Sequence, residues 1–367
     1  MRIESLRLQN FRNYPLQELS FSPDVNVICG ENAQGKTNLL EAMVYLSCGK
    51  SPRARTDKEL IRFGEGEARV QAKVLARERE FSLDVQLFEG KRRKISINKV
   101  TAKKASELSS VLGTVYFCPE DLFLIREGAA ARRKFMDTAL CSLRPRYAEA
   151  LAEYNRLYEH KTRILRDSEE HPDLLLTLPD FNLRMAQFGA VLIHYRARFC
   201  ERLAQYAAAA HAECSGGREE LTLCYETVKT VLDPFASQEE LFHRLMEHQN
   251  AHDAAERASR LCLSGPHKDD ICVSIGGRSA RGFASQGQTR TAALAFKLAE
   301  REIYKEITGE TPVLLLDDVL SELDPKRQEF VLNRISGGQV FITCCEEDRL
   351  GTLLGGKVLR IKEGSVV

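Results

Sequence analysis

The chain has 367 residues and a formal net charge of +1, enough length for one compact unit or a core carrying one sizeable insertion. Apolar residues make up 43% and charged residues 29%, an ordinary soluble globular composition, and the near-zero charge taken alone says nothing about nucleic acid. No apolar h-region follows Met1, no apolar run approaches the length of a membrane span, and the eleven cysteines include no Cys-x-x-Cys, so export, membrane spanning, a disulfide framework and a zinc site are not expected and a reduced cytoplasmic chain is.

Residues 2–29 read as strands, with Ile3, Leu6 and Leu8 alternating with polar residues, then Leu16-Gln17-Glu18-Leu19-Ser20-Phe21, then an apolar run ending at Cys29. Gly30-Glu31-Asn32-Ala33-Gln34-Gly35-Lys36-Thr37 follows, with Asn38-Leu39-Leu40-Glu41-Ala42-Met43 opening a helix behind it. Strand, Gly-x4-Gly-Lys-Thr and helix together predict a phosphate-binding loop. Gly30 and Gly35 permit backbone that a Cβ disfavours, so that successive N–H groups form an anion nest. Lys36 is placed to reach the β/γ-phosphates, the Thr37 hydroxyl to hold Mg²⁺, and the helix N-terminus to add its dipole. ATP with Mg²⁺ is the expected cofactor.

Beyond that helix, residues 68–88 alternate as antiparallel sheet, and Gly90 turns into residues 91–104, where Lys91, Arg92, Arg93, Lys94, Lys99, Lys103 and Lys104 occur with no acidic residue. This run reads either as a solvated hairpin or as a contact to a nucleic-acid backbone. After Pro119-Glu120-Asp121 the periodicity becomes helical. Tyr147, Leu151, Tyr154, Tyr158 and Leu165 mark one helix and Phe188, Leu192, Tyr195, Phe199, Leu203 and Tyr206 a second. Each is expected to be about 25 residues and roughly 35–40 Å long, with Pro172 and Pro179 breaking the helix between them. The histidines of this stretch have no metal-ligand spacing and read as surface or packing residues. Arg132 and Arg133, near its start, are a further guess for DNA contact.

The pattern returns to sheet near residue 262. Ser264-Gly265-Pro266-His267-Lys268-Asp269-Asp270 precedes a strand, and Gly282-Phe283-Ala284-Ser285-Gln286-Gly287-Gln288-Thr289 precedes a helix that Ser285 is placed to cap, making a second anion site. Val313-Leu314-Leu315-Leu316-Asp317-Asp318 is a buried strand ending in two acids. Asp317 fits the Mg²⁺ beside Thr37, and Asp318 a role in orienting or deprotonating the attacking water. Lys36, Asp317 and Asp318 are the candidate catalytic residues, and Thr37 and Asp317 the candidate metal ligands. Three segments follow: residues 1–121 as the first half of an ATPase head, 122–261 as an inserted helical lobe, and 262–367 as the second half of the head.

Ser285-Gln286-Gly287-Gln288 before a helix, about 30 residues ahead of an apolar strand ending in acids and followed by Ser321-Glu322-Leu323-Asp324, resembles the signature motif, Walker B strand and D-loop of ABC-type ATPases. With Asn10-Phe11-Arg12-Asn13-Tyr14, Asp57-Lys58-Glu59-Leu60-Ile61-Arg62, Pro119-Glu120-Asp121-Leu122 and Ser264-Gly265-Pro266-His267-Lys268-Asp269-Asp270, the whole is similar to the RecF family, which is related to SMC heads; the resemblance runs to Asp348. It implies an α/β fold, an ABC-type P-loop ATPase head with mixed sheets around the P-loop helix and a helical lobe in place of a long coiled coil. It further implies an ATP-dependent homodimer in which Ser285 and Gln288 reach the nucleotide of the other copy. That dimer binds double-stranded DNA at single-strand gaps and, with RecO and RecR, helps load RecA. Hydrolysis for release is slow and DNA-stimulated, a switch more than a metabolic enzyme. An ATPase subunit of an SMC-like nuclease complex is the alternative. Three features depart from the wider ABC pattern. Asp318 stands where most have Glu, which should slow hydrolysis; Thr343-Cys344-Cys345 replaces a switch histidine; and no Q-loop glutamine is assigned near Pro119-Glu120-Asp121. Lys268 stands where RecF proteins usually have Arg.

Overall fold

In the computed structural model, which describes residues 1–345 and 356–366, the chain divides into two compact units: Met1–Leu122 with Lys297–Val367, and Phe123–Phe296. Asp348, where the family resemblance ends, lies outside the described residues. The first unit opens with β1 (Arg2–Phe11), β2 (Tyr14–Ser20), β3 (Val25–Cys29) and α1 (Lys36–Cys48). It continues with β4 (Glu67–Ala76), β5 (Arg79–Phe88), β6 (Lys91–Ile97), β7 (Val100–Thr101) and β8 (Thr114–Phe117).

In the second unit, α2 (Ala129–Leu143), α3 (Pro145–Asp167) and α4 (Leu178–Ser215) lead to β9 (Leu221–Glu226) and α5 (Gln238–Ser259). Next come β10 (Asp270–Ile275), β11 (Arg278–Ser279) and α6 (Ala280–Phe283). The division falls within α7 (Gln286–Thr308). The first unit then resumes with β12 (Val313–Leu316), α8 (Pro325–Arg334), β13 (Val340–Cys344), β14 (Lys357–Lys362) and β15 (Ser365–Val366).

The first unit holds two six-stranded sheets. One is antiparallel, in the order β2-β1-β4-β5-β6-β7, and is built from the alternation expected over residues 68–88: Val70, Ala72 and Val74 of β4 and Leu83, Val85 and Leu87 of β5 turn inward. A register shift between Ile3 and Ser5 inserts one residue into β1, so Ile3 joins Leu6 and Leu8 in the core despite its odd spacing. In the other sheet, ordered β15-β14-β3-β13-β12-β8, all strands but β15 run parallel. Its central strands β12 and β13 are buried along their whole length, as a covered parallel sheet requires. α1 is buried over most of its circumference, with Leu39, Leu40, Met43, Tyr45 and Leu46 in the main core. One strand, β13, separates the loop strand β3 from β12.

The second unit packs α3 and α5 against α4 and closes with a small antiparallel sheet, β11-β10-β9. Two expectations are corrected here. α4 has 38 residues, not about 25, hence roughly 57 Å of length at the usual rise. The expected break lies between the two helices, from 168 to 177, with Pro172 inside it and Pro179 in the first turn of α4, where no N–H is needed and the ring pre-sets φ. The helix ends only at Gly216, whose N–H donates to the carbonyls of Ala212 and Glu213. Second, residues 262–296 belong to the second unit with the helical lobe, because β10 pairs with β9, Ile271 opposite Tyr225, and is a strand of neither sheet of the first unit. Of the histidines, His211 and His248 are buried and His160, His171 and His243 exposed. Among the described residues no group of three or more His, Cys, Asp or Glu is arranged for a metal ion, and no helix is long and apolar enough to cross a membrane.

Candidate functional site

The loop from Gly30 to Lys36 joins the C-terminal end of β3 to α1. Gly30 has φ +157°, and a Cβ there would stand 2.4 Å from the Ile361 carbonyl oxygen of β14. Gly35 has φ +116°, and a Cβ there would meet the Asn13 side chain at 2.6 Å. Both positions therefore require glycine. Lys36 is buried, its ammonium donating to the carbonyls of Gly30 and, at 3.2 Å, Glu31, with the Cys345 sulfur 3.4 Å away. Carbonyl oxygens thus stand where the phosphate oxygens of a nucleotide would accept.

Behind the loop, the Thr37 hydroxyl donates to Asp317 Oδ1 at 3.0 Å, across 280 residues of sequence. The same oxygen accepts from the Thr343 hydroxyl at 3.0 Å, and Asp317 Oδ2 accepts from the Tyr116 hydroxyl at 2.7 Å. Burial and the Asp317 charge push the Tyr116 phenol well above its ordinary pKa, which keeps it a donor. The Thr343 oxygen in turn accepts from Asp318 N–H at 2.7 Å, so one hydroxyl ties both acids to the end of β13. Asp318 adopts φ +53°, and its Oδ1 accepts from the Ser321 hydroxyl at 3.1 Å. The hydroxyl of Thr37 and the carboxylate of Asp317 form an all-oxygen donor set suited to a hard divalent cation such as Mg²⁺. Residues 31–33 are exposed at the loop surface.

In the second unit, Ser285 and Gln288 cap α7 reciprocally. Ser285 N–H donates to Gln288 Oε1 at 2.8 Å, and Gln288 N–H donates to the Ser285 hydroxyl oxygen at 3.2 Å. Gln288 Nε2 also reaches Glu219 Oε1 at 2.9 Å. Ser285 and Gln286 are exposed, while Gly287 and Gln288 are half-buried.

Comparison with known proteins gives this geometry its relatives. The RecF/RecN/SMC N-terminal domain family matches residues 2–361. The DNA replication and repair protein RecF of Agathobacter rectalis is 40% identical over 370 residues, spanning 100% of this chain and 99% of that protein. A solved structure of the recombination mediator protein RecF-ATPrS in the RecFOR pathway superposes with a TM-score of 0.91 at 33% identity, covering 100% of this chain and 97% of that one. The chain belongs to the RecF family. The Smc head domain from Pyrococcus furiosus, at 16% identity and a TM-score of 0.56, shares the fold, covering 100% of this chain and 95% of its own. The expected α/β, ABC-type ATPase architecture is therefore the one observed, and the expected resemblance to the RecF family holds.

Within this RecF-family chain the turn Asn10-Phe11-Arg12-Asn13-Tyr14 acquires a role that its residue pattern did not reveal. It clamps the nucleotide loop. Arg12 forms a two-point ion pair with the buried Glu41 of α1, both distances 2.8 Å. Asn13 Nδ2 donates to the Gln34 carbonyl at 2.8 Å, Asn13 Oδ1 accepts from Asn38 at 2.9 Å, and the Tyr14 hydroxyl donates to the Gly35 carbonyl at 3.0 Å. Tyr116 and Thr343 are likewise partners of Asp317 that no motif marks. Their only sequence signal is position at the end of a strand, which becomes informative once β8, β12 and β13 are known to be neighbours.

The basic run divides. Arg93 is bound to the head, donating to the Tyr45 hydroxyl at 2.8 Å and the Gly49 carbonyl at 2.6 Å beside Asp57. Lys91, Arg92, Lys94, Lys99, Lys103 and Lys104 are exposed along β6, β7 and the segment after them. Arg132 is corrected as a DNA candidate: it is 3% exposed, its guanidinium on both Asp270 oxygens at 2.6 and 2.8 Å and on the Glu127 carbonyl. Arg133 is half-buried and donates to the Asp269 carbonyl at 2.7 Å.

Proposed function

We propose that the chain is an ATP-dependent DNA-binding protein of recombinational repair, a switch that binds duplex DNA at single-strand gaps and helps RecO and RecR load RecA. The observation that carries this reading is Thr37 within 3.0 Å of Asp317 beside the loop that buries Lys36. Bound ATP supplies a transferable γ-phosphoryl group and Mg²⁺ the charge that offsets its oxygens. The loop N–H groups and Lys36 hold the phosphates, Lys36 turning its ammonium from the Gly30 and Glu31 carbonyls. Thr37 and Asp317 hold the cation, and Asp318 orients the attacking water or takes its proton. An aspartate is one methylene shorter than the glutamate usual at that position, which sets a slow clock.

Two copies close head to head on ATP, and Ser285 and Gln288 of each reach the nucleotide held by the other. The exposed Ser285 hydroxyl at the N-terminus of α7, together with the helix dipole, supports this reading, since both suit an anion. The test is the sedimentation mass of the wild type, Lys36→Met and Ser285→Arg, with and without ATP-Mg²⁺ and a gapped duplex. ATP is expected to turn monomer into dimer, only the dimer to hold DNA, and both substitutions to block it. A wild type that stays monomeric, or that binds DNA equally well without nucleotide, overturns the proposal.

A further inference from the structure

A cavity of about 570 Å³ opens within the second unit, lined by α2, α3, α4 and the turn Pro266–Lys268. Its lining carries three cationic side chains, Arg133, Arg196 and Lys268, and one carboxylate, Asp137. Arg196 is neutralised in the floor, its guanidinium 2.8 Å from Asp137 and 2.8 Å from Asp269. Arg133 is not, because the acceptor it meets at 2.7 Å is the uncharged Asp269 carbonyl. Lys268 stands exposed at the mouth. The cavity therefore presents net positive charge, which attracts an anion.

One wall is aromatic. The Tyr158 ring lies 4.6 Å from His267, and Tyr154 stacks on the same imidazole at 6.2 Å. His267 Nε2 lies 3.1 Å from the Cys262 carbonyl, which can only accept, so Nδ1 accepts from the Tyr154 hydroxyl at 2.8 Å. The ring is neutral at pH 7, its pKa lowered to about 4 by burial and by the surrounding cations Lys268, Lys161 and Arg133.

The turn that carries Lys268 is held from below. Arg196 donates to the Pro266 carbonyl at 2.7 Å, and Glu256, paired with Lys161 in full burial, accepts from Leu263 and Ser264 N–H at 2.7 and 3.1 Å. Buried ion pairs carry a desolvation cost that apolar packing avoids. What they achieve here is a fixed position for Lys268 and for the Asp269 carbonyl that aims Arg133.

We propose that this cavity binds a nucleotide unit, its phosphate ester paired with Arg133 and Lys268 and its base stacked on the Tyr158–His267 wall. The volume lies in the range of small-ligand sites, Arg and Lys suit a phosphate, and aromatic faces take bases without regard to sequence. The unit is either a free mononucleotide or part of a nucleic-acid strand. The lining residues belong to the second unit and the Gly30–Thr37 loop to the first, and the inference does not rest on the function proposed above.

Titration of the Lys36→Met protein with AMP and, separately, with a single-stranded DNA dodecamer tests it, with the imidazole proton signal of His267 followed by NMR. At least one probe is expected to bind and to raise the His267 pKa. Lys268→Gln and Arg133→Gln are each expected to weaken that binding about tenfold or more, the loss of one charged hydrogen bond, and Lys268→Arg to restore it. Binding of AMP identifies the free nucleotide as the source, and binding of the strand alone identifies nucleic acid. ATP binding by the same substitutions in a wild-type Lys36 background reports that the fold is intact. The proposal is overturned if neither probe binds, or if binding is unchanged in both Gln variants.

Discussion

Thr343 illustrates how much of a site a single hydroxyl can organise. It donates to Asp317 and accepts from the Asp318 N–H, while Thr37 and Tyr116 complete the partners of Asp317. Thr343→Val keeps the shape and removes the hydroxyl, leaving a buried N–H and a carboxylate oxygen short of a partner. ATP hydrolysis is expected to fall about tenfold or more, since Asp318, the acid proposed to orient the attacking water, loses its fixed position, with ATP affinity changing by less than about threefold. Single-turnover hydrolysis beside equilibrium nucleotide binding separates the two. An unchanged hydrolysis rate, or affinity falling in step with rate, removes Thr343 from a positioning role. At the same scale, Arg132 shows why charge in a sequence is a poor guide to a surface. Its guanidinium neutralises Asp270 inside the second unit, and nothing in the residue type distinguishes that from an exposed base.

Among elements, the β6–β7 hairpin keeps both of its sequence readings in play. It pairs with β5, Ile97 opposite Leu83 and Lys94 opposite Gln86, with a register shift before Lys91 meets Phe88, and its exposed positions carry the bases. If the hairpin follows a DNA backbone, changing Lys91, Arg92, Lys94 and Lys99 together to Gln should lower the slope of log affinity against log salt by about 0.9 for each phosphate that is no longer neutralised. Arg93 is left in place because it anchors the strand to Tyr45, Gly49 and Asp57. Fluorescence anisotropy over a salt series reads the slope, and an unaltered slope makes the hairpin a solvated edge. Strand edges do carry lysines simply to prevent association.

For the whole molecule, the nucleotide loop and both acids belong to one compact unit and the Ser285 cap to the other. Amide hydrogen exchange can therefore separate a cis effect of ATP from a trans one. With ATP-Mg²⁺, protection is expected to rise at 30–40 and 313–320, where binding to the native state alone stabilises it. It should also rise at 283–289, but only at protein concentrations that give dimer. Protection confined to the first unit at every concentration removes Ser285 from the nucleotide site. Equal protection at low and high concentration removes the second copy.

Sequence alone determined the chemistry that is local. Gly30 to Thr37, the apolar strand ending at Asp317-Asp318 and the Ser285 cap are contiguous strings whose residue types follow from backbone conformation and charge. The alternation over 68–88 foretold β4 and β5 for the same reason, since burial on one face of a pleated strand has a period of two. Pairings between distant segments had no such signature. That Asn13 and Tyr14 hold the nucleotide loop, that Thr343 stands between Asp317 and β3, and that β10 joins β9 and not the ATPase sheets were decided by which strands lie side by side. Strand order is fixed by burial summed over the whole core. No single stretch of the sequence carries that sum, and only the tertiary structure reveals it.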